Sequence, residues 1–313
     1  MDSTSEENTP RLQQILQILY LFLKLFIATL EGVYRTIIPP PKISVEGEII
    51  LITGAGHGIG QELALQYAAL DATVICLDID AQRNTDTVNK IINKGKFAYG
   101  YKCDVTNRIE VMDTVKKIQN EIGDITILIN NAGILHCHPL LEHTEHEIRK
   151  TVEVNITSHF WTIQAVLPSM LKKNHGSIVA ISSSVALSGT PNMVPYSATK
   201  YAVRGLMDSL RNEIRKDTSN IQFTTVLPCI VDTGLITKFT LRLPISGVVI
   251  SPKTAASCII SAQRRGLVEV TIPRLSLMIA TYTRLFPTKV GNLITDFIGV
   301  HFESDLINKN TNN

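Results

Sequence analysis

Charge of one sign is what this 313-residue chain has least of: 30 Lys and Arg stand against 28 Asp and Glu, a formal net charge of +2. That balance excludes a strong electrostatic partner, and no basic patch points to nucleic acid. Cysteine is sparse and scattered. The five (Cys76, Cys103, Cys137, Cys229 and Cys258) are odd in number and form no Cys-x-x-Cys pair. A disulfide framework is thereby disfavoured, and buried reduced thiols in a reducing compartment fit better. Internal repeats are lacking, which excludes a solenoid or propeller. The length suits one domain with extra segments.

The chain does hold one long apolar run. Leu12 to Leu30 is mostly Leu, Ile and Phe, close to the ~20 residues that span a bilayer. At ~100° per residue, Gln13, Gln17, Lys24, Glu31 and Arg35 fall on one narrow stripe. Such a stripe on a broad apolar cylinder suits a helix lying in a membrane interface as well as one crossing it. A cleaved signal peptide is disfavoured, because no small-x-small site follows. Asp2, Glu6 and Glu7 outweigh Arg11 before the run, while Arg35 and Lys42 outweigh Glu31 after it. That asymmetry places the rest of the chain in the cytosol. Pro39-Pro40-Pro41 then forms a stiff spacer. Three segments follow: residues 1–44 for membrane attachment, 45–273 for a catalytic domain, and 274–313 as an apolar extension.

Strands and helices alternate from Glu48 to Val226, which predicts a parallel sheet covered on both faces. The first strand, Glu48 to Thr53, runs into Gly54-Ala-Gly56-His-Gly58-Ile-Gly60 and then an apolar helix from about Gln61 to Leu70. Glycines at 54, 58 and 60 let the backbone turn tightly toward a pyrophosphate at a helix N-terminus. The spacing is Gly-x-x-x-Gly-x-Gly, not GxGxxG. A second strand, Ala72 to Leu77, ends at Asp78, 18 residues after Gly60. An acidic residue there binds ribose hydroxyls and repels a 2′-phosphate, which favours NAD over NADP. Arg83, the nearby cation, reads as a solvated helix residue.

Farther on, Tyr196 and Lys200 stand one helical turn apart in Tyr-Ser-Ala-Thr-Lys, so phenol and ammonium share a face. A neighbouring cation is expected to lower the tyrosine pKa from ~10 toward working pH, as proton transfer requires.

With these pieces in place the chain resembles the short-chain dehydrogenase/reductases over roughly Val45 to Pro273. The residues that carry the likeness are Thr53-Gly-x-x-x-Gly-Ile-Gly60, Asn130-Asn-Ala-Gly133 after the strand Ile125 to Ile129, the Ser182-Ser183-Ser184 run and the Tyr-Lys pair. The hydrophobic leader and the Phe-Pro-Thr-Lys-Val-Gly stretch point to a membrane-bound branch acting on retinol and 17β-hydroxysteroids. The resemblance implies an α/β fold: a single Rossmann-type doubly wound parallel sheet with an N-terminal hydrophobic membrane helix. It implies catalytic roles for Asn155, Ser183 (13 residues before the tyrosine), Tyr196 and Lys200. Cofactor contacts would come from Gly54, Gly58, Ile59, Gly60, Asp78, Asp104, Val105, Asn131, Ala132, Gly133, Tyr196, Lys200 and Thr233. Asp104 would touch the adenine ring, and Thr233 the nicotinamide carboxamide. The departure from the family is Pro228-Cys229, where it carries Pro-Gly. Asn155 also heads an Asn-Ile-Thr sequon, but its implied place is inside the site, not on a glycosylated loop.

His136-Cys137-His138, with His143 and His146, has the side chains of a zinc site. The resemblance places this stretch on a loop bordering the substrate. No hydride-transfer step needs a metal, so these residues read as loop and helix-start polar groups, with metal none. Residues 234–252 are implied to be a lid, and Leu275 to Phe302 to touch membrane or extend that lid. The expected function is NAD-dependent oxidation of a lipophilic alcohol, retinol first and a steroid 17β-hydroxyl second, at an endoplasmic reticulum membrane or lipid-droplet surface. A homodimer is implied by the resemblance alone. From a different class, the alternative is a lipid-surface NAD-binding scaffold without turnover, which degraded catalytic positions would favour. None of the four is degraded.

Overall fold

The computed structural model describes residues 8–215, 220–236, 238–241, 249–274, 277, 281–283 and 285–308. Part of the expected lid (237 and 242–248) and part of the stretch beginning at Leu275 lie outside the described residues. The chain divides into two compact units, Met1–Lys42 and Ile43–Asn313.

In the first unit, helix α1 (Asn8–Ile37) contains the apolar run. Gln13–Arg35 has 23 residues at a mean hydropathy of 1.7, so it reaches ~35 Å at ~1.5 Å per residue, against a hydrocarbon core of ~30 Å. It is long and apolar enough to cross a membrane. Leu19, Phe22, Phe26 and Leu30 on it are all more than half exposed. Arg35 pairs with Glu31 one turn earlier at 2.6 Å, and the Lys24 ammonium lies 4.4 Å from the Tyr20 ring centre.

The second unit is built on seven parallel strands. They are β1 (Ile49–Thr53), β2 (Thr73–Asp78), β3 (Ala98–Lys102), β4 (Ile127–Asn130), β5 (Gly176–Ile181), β6 (Ile221–Pro228) and β10 (Glu269–Ile272), in the order β10-β6-β5-β4-β1-β2-β3. The order reverses direction between β1 and β4. β4 and β5 are continuous runs of buried residues, and β1 is buried from Ile50 onward, as a sheet covered on both faces demands. On one face, Leu63, Ala64 and Tyr67 of α2 (Gly58–Ala68) and Ile259 of α8 (Pro252–Arg264) pack on Ile50 and Ile52. On the other, α4 (Arg108–Glu121), α6 (Ser158–Lys173) and α7 (Val194–Ile214) bring Val115, Val166 and Val203 onto Leu51 and Leu128.

Local chemistry sets the helix starts. Asp80 accepts from the N–H groups of Gln82 and Arg83 to begin α3 (Ala81–Ile92), and Asn107 caps α4 in the same way. Thr144 and Glu147 form a reciprocal capping box on α5 (Glu145–Val152). Between α5 and α6 the chain passes through a π-helical turn, Glu153–Thr157.

Two short pairings lie outside the main sheet. β7 (Ile230–Val231) runs parallel to β9 (Val249–Ile250). β8 (Phe239–Leu241) pairs antiparallel with β11 (Val300–Phe302), which follows α9 (Thr288–Ile298). The C-terminal segment therefore belongs to the catalytic unit's own hydrogen-bonding.

Candidate active site

The carboxyl ends of β1, β4 and β5 open onto one cleft of about 530 Å³. It sits where strand order reverses, the usual place for a ligand in such sheets. Gly54, Gly58, Ile59, Asp78, Asp104, Val105 and Asn131–Gly133 line it at one end. Ser183, Tyr196, Lys200 and Thr233 line it too. Of the residues singled out from sequence, Gly60 and Asn155 stand behind the wall, not in it.

Gly60 is required by the turn itself. A Cβ there would lie 2.0 Å from the Gly54 carbonyl oxygen, a backbone atom that cannot move aside. Gly58, at φ +57°, occupies the left-handed region that favours glycine. The turn is tied to its neighbours by Thr53, whose Oγ1 accepts from the N–H groups of Asn131 and Ala132, both at 3.0 Å. Asn131 returns the contact, donating from Nδ2 to the Thr53 and Gly54 carbonyls. Asp78 Oδ2 accepts from Gly56 N at 2.8 Å, and its Oδ1 accepts from Asp80 N at 2.9 Å. The carboxylate that ends β2 thus shapes the glycine turn as well as facing the cleft.

Asp104 Oδ1 accepts from both Thr106 N and Thr106 Oγ1. Burial alone would raise this carboxyl. The Thr106 bonds and the Lys150 charge 3.6 Å away outweigh that and hold it below the usual range. Lys150, which also lines the cleft, went unremarked in the sequence. It is an ordinary helix lysine there, and only the fold brings it to Asp104.

The phenol and the ammonium are deeply buried. Tyr196 is 8% exposed and Lys200 4%. The Lys200 ammonium donates to the Ile181 carbonyl at 2.9 Å and lies 5.4 Å from the Tyr196 ring centre. Burial pushes Tyr196 up to about 12, with a Ser183 hydrogen bond pulling the other way. Burial likewise depresses Lys200 to about 8. The expectation that the adjacent cation lowers the tyrosine is therefore corrected: in the protein alone desolvation dominates. Ser183 Oγ accepts from Val185 N at 3.4 Å, which leaves its O–H to donate.

Asn155 sits in the π-helical turn, fully buried. Its Oδ1 accepts from Ile134 N at 2.8 Å, and its Nδ2 donates to Ile134 O and Thr199 Oγ1. Both amide donors are used, which leaves Oδ1 a second lone pair. A Cβ on Gly133 would lie 3.5 Å from that oxygen and 3.6 Å from Lys200 Nζ, so these two polar atoms flank the same glycine. Cys229, in place of the family's glycine, donates its N–H to Ile272 O at 2.8 Å.

The surroundings of Tyr196 are apolar. Cys137, Val185, Met193 and Tyr196 form one buried cluster, with Leu135, Ile236 and Phe302 packed against it. Phe302 comes from the C-terminal segment, where Asn192 Nδ2 donates to its carbonyl at 2.8 Å.

Comparisons with known proteins agree with this geometry. Residues 48–242 match the short chain dehydrogenase family. Epidermal retinol dehydrogenase 2 of Mus musculus is 34% identical over 291 residues, covering 92% of this chain and 94% of that protein. Human 17-beta-hydroxysteroid dehydrogenase 13 is 36% identical over 230 residues, covering 73% and 77%. A short chain dehydrogenase/reductase from Burkholderia phymatum, crystallised with NAD, superimposes with a TM-score of 0.70 at 22% identity, covering 77% of this chain and 94% of that one. A metagenomic short-chain oxidoreductase in complex with NADP gives 0.63 at 23% identity, covering 73% and 97%. These two structures speak for the fold alone. The match over most of the catalytic unit, and the relatives above 30% identity along nearly the whole chain, make this protein a member of the short-chain dehydrogenase/reductase family of oxidoreductases.

Proposed function

We propose that this chain is a membrane-attached, NAD-dependent dehydrogenase that interconverts a lipophilic alcohol and its carbonyl, with retinol and retinal as the preferred pair. One observation carries the reading: Ser183, Tyr196 and Lys200 share a cleft with the glycine turn, and the wall beside Tyr196 is apolar.

The residues present fit a dinucleotide, because Gly54, Gly58 and Ile59 of the glycine turn line the same cleft as the Asp78 and Asp104 carboxylates. Gly54, Gly58, Ile59 and Gly60 would hold its pyrophosphate, Asp78 the ribose hydroxyls, and Asp104 with Val105 the adenine. Asn131, Ala132, Gly133 and Thr233 would line the nicotinamide end. Asp78, at the end of β2, lines the cleft and would repel a 2′-phosphate, which supports NAD over NADP. When bound, the nicotinamide supplies the hydride acceptor.

In the oxidation direction Tyr196 takes the hydroxyl proton at its phenolic oxygen. Ser183 donates to the substrate oxygen and stabilises charge as it develops. Lys200 would bond the ribose hydroxyls beside the ring, the Ser183 hydrogen bond pulls the phenol down, and Asn155 braces Ile134 and leaves Oδ1 for a water that leads the proton outward. The exposed apolar surface of α1 supports attachment to an endoplasmic reticulum membrane or lipid droplet, with the catalytic unit in the cytosol.

The names of the relatives support a steroid 17β-hydroxyl as the second reading, by the same chemistry. The test is NADH formation by membrane-bound protein supplied with all-trans-retinol or estradiol, alongside Tyr196→Phe. Turnover of retinol that the variant loses is the expected result. Preference for estradiol moves the substrate, and no turnover with either despite NAD binding overturns the retinoid reading.

A further inference from the structure

Beside the catalytic cleft, and not part of its lining, the loop after β4 and the start of α5 bring three ligand-type side chains together. His138 is 2% exposed, its Nδ1 has no hydrogen-bond partner, and its Nε2 faces only the Glu147 carboxylate. The ring nitrogens of His143 are buried and unpartnered as well. The two rings lie 3.8 Å apart, centre to centre, with 31° between their planes. Glu147 Oε2 stands 3.3 Å from His138 Nε2. One ligand atom from each of the three lies within 4.8 Å of the other two.

Buried polar nitrogens are nearly always hydrogen-bonded, so two stacked imidazoles with buried nitrogens and one carboxylate between them call for an explanation. A shared cation supplies one. Around a tetrahedral zinc with bonds of ~2.0–2.1 Å, neighbouring ligand atoms sit ~3.3 Å apart, the spacing between His138 and Glu147.

We propose that His138, His143 and Glu147 form a binding site for a divalent transition metal ion, with zinc the best match. Two imidazoles and one carboxylate suit zinc, whereas calcium and magnesium prefer oxygen alone. Thr144 orients the carboxylate by donating from N and Oγ1 to Glu147 Oε2, at 2.9 and 3.0 Å. Such outer contacts are what fix a metal ligand. Glu147 Oε1 stays open on the side of His136, whose Nδ1 is 3.8 Å away. The fourth position falls to His136 or water.

The ion would tie the loop to α5. Between His136 and His138, Cys137 packs in the cluster that holds Tyr196 and receives Asp305 Oδ2 on its N–H at 2.9 Å. The metal is thus a pin for the substrate wall, apart from proton and hydride transfer.

The test uses full-length protein in detergent, stripped with a chelator and titrated with zinc against a chromophoric competitor. One zinc per chain is expected, with a raised thermal midpoint. His143→Ala should weaken binding at least ~100-fold, given that even outer-shell losses reach that range. His138→Gln should do the same, and Glu147 is left intact because it caps α5. Cobalt added to the unsubstituted protein provides a readout that needs no variant: intense visible absorption marks a tetrahedral or five-coordinate site. Equal zinc binding by protein and variants, or no saturable binding with only weak six-coordinate cobalt bands, overturns the proposal.

Discussion

Thr233 closes against Gly58: a Cβ on that glycine would lie 2.9 Å from the threonine Cγ2 methyl. The contact joins the loop after β7 to the turn after β1, across the mouth of the cleft. Gly58→Ala should therefore fail twice, through the steric contact and through a left-handed backbone costing about 1–2 kcal/mol for a residue with Cβ. The double variant Gly58→Ala/Thr233→Ser removes the methyl and should recover only the steric part. Gly60→Ala meets backbone and should have no such rescue. Fluorescence titration of NADH binding separates the three.

Tyr196→Phe keeps the ring and its packing but removes the proton acceptor. The rate should drop about 10²–10⁴-fold with little change in KM. An equal loss in KM and kcat would point to a packing defect, and steady-state kinetics would show it.

Lys200 has a folded pKa of about 8, below its ordinary 10.5. Between those values the unfolded chain binds more protons, so folding stability rises with pH across that window. Tyr196 acts oppositely: its folded pKa of about 12 exceeds the ordinary 10, so stability falls as pH climbs through that range. Urea midpoints from pH 7.5 to 9.5 should rise more steeply in the unsubstituted protein than in Lys200→Met. Parallel slopes would contradict the assignment.

His159 is fully buried, and its Nδ1 has no hydrogen-bond partner. Burial, and then the Lys200 charge, lower it from 6.5 to about 3. The unfolded chain takes up a proton first as pH falls, so stability is lost between about 6.5 and 3. His159→Gln should flatten that part of an acid-unfolding curve, followed by circular dichroism.

Asp78→Ser should weaken NAD binding and improve NADP relative to it, by removing the carboxylate that repels a 2′-phosphate. Because Asp78 also holds Gly56 N, absolute affinity for both should fall. The ratio of the two dissociation constants is the quantity to measure.

The parts of the site legible in sequence are those coded by short, local patterns. The β1 turn, Asn131–Gly133 and the Tyr196–Lys200 spacing each occupy a few consecutive residues, and the fold brings Gly54, Asn131, Ser183 and Tyr196 to one cleft. What sequence spacing misjudged is burial. Four residues on a helix say that phenol and ammonium are neighbours, but nothing about the desolvation that outweighs their attraction. Long-range partners were equally hidden. Nothing local in Phe239 or Phe302 announces that their strands pair, nor in Asp305 that it receives the Cys137 N–H. The π-helical turn around Asn155 also left no mark on the apolar pattern.

The strand Val300–Phe302 brings the C-terminal region to the surroundings of Tyr196. Phe302 packs on the cluster around Tyr196 although 106 positions separate them, and its partner strand is Phe239–Leu241. Replacing this strand should reshape the apolar wall beside Tyr196 while leaving Ser183, Tyr196 and Lys200 in place. A bulky tag fused beside residue 302 would therefore press on the surroundings of Tyr196, far away though it is in sequence.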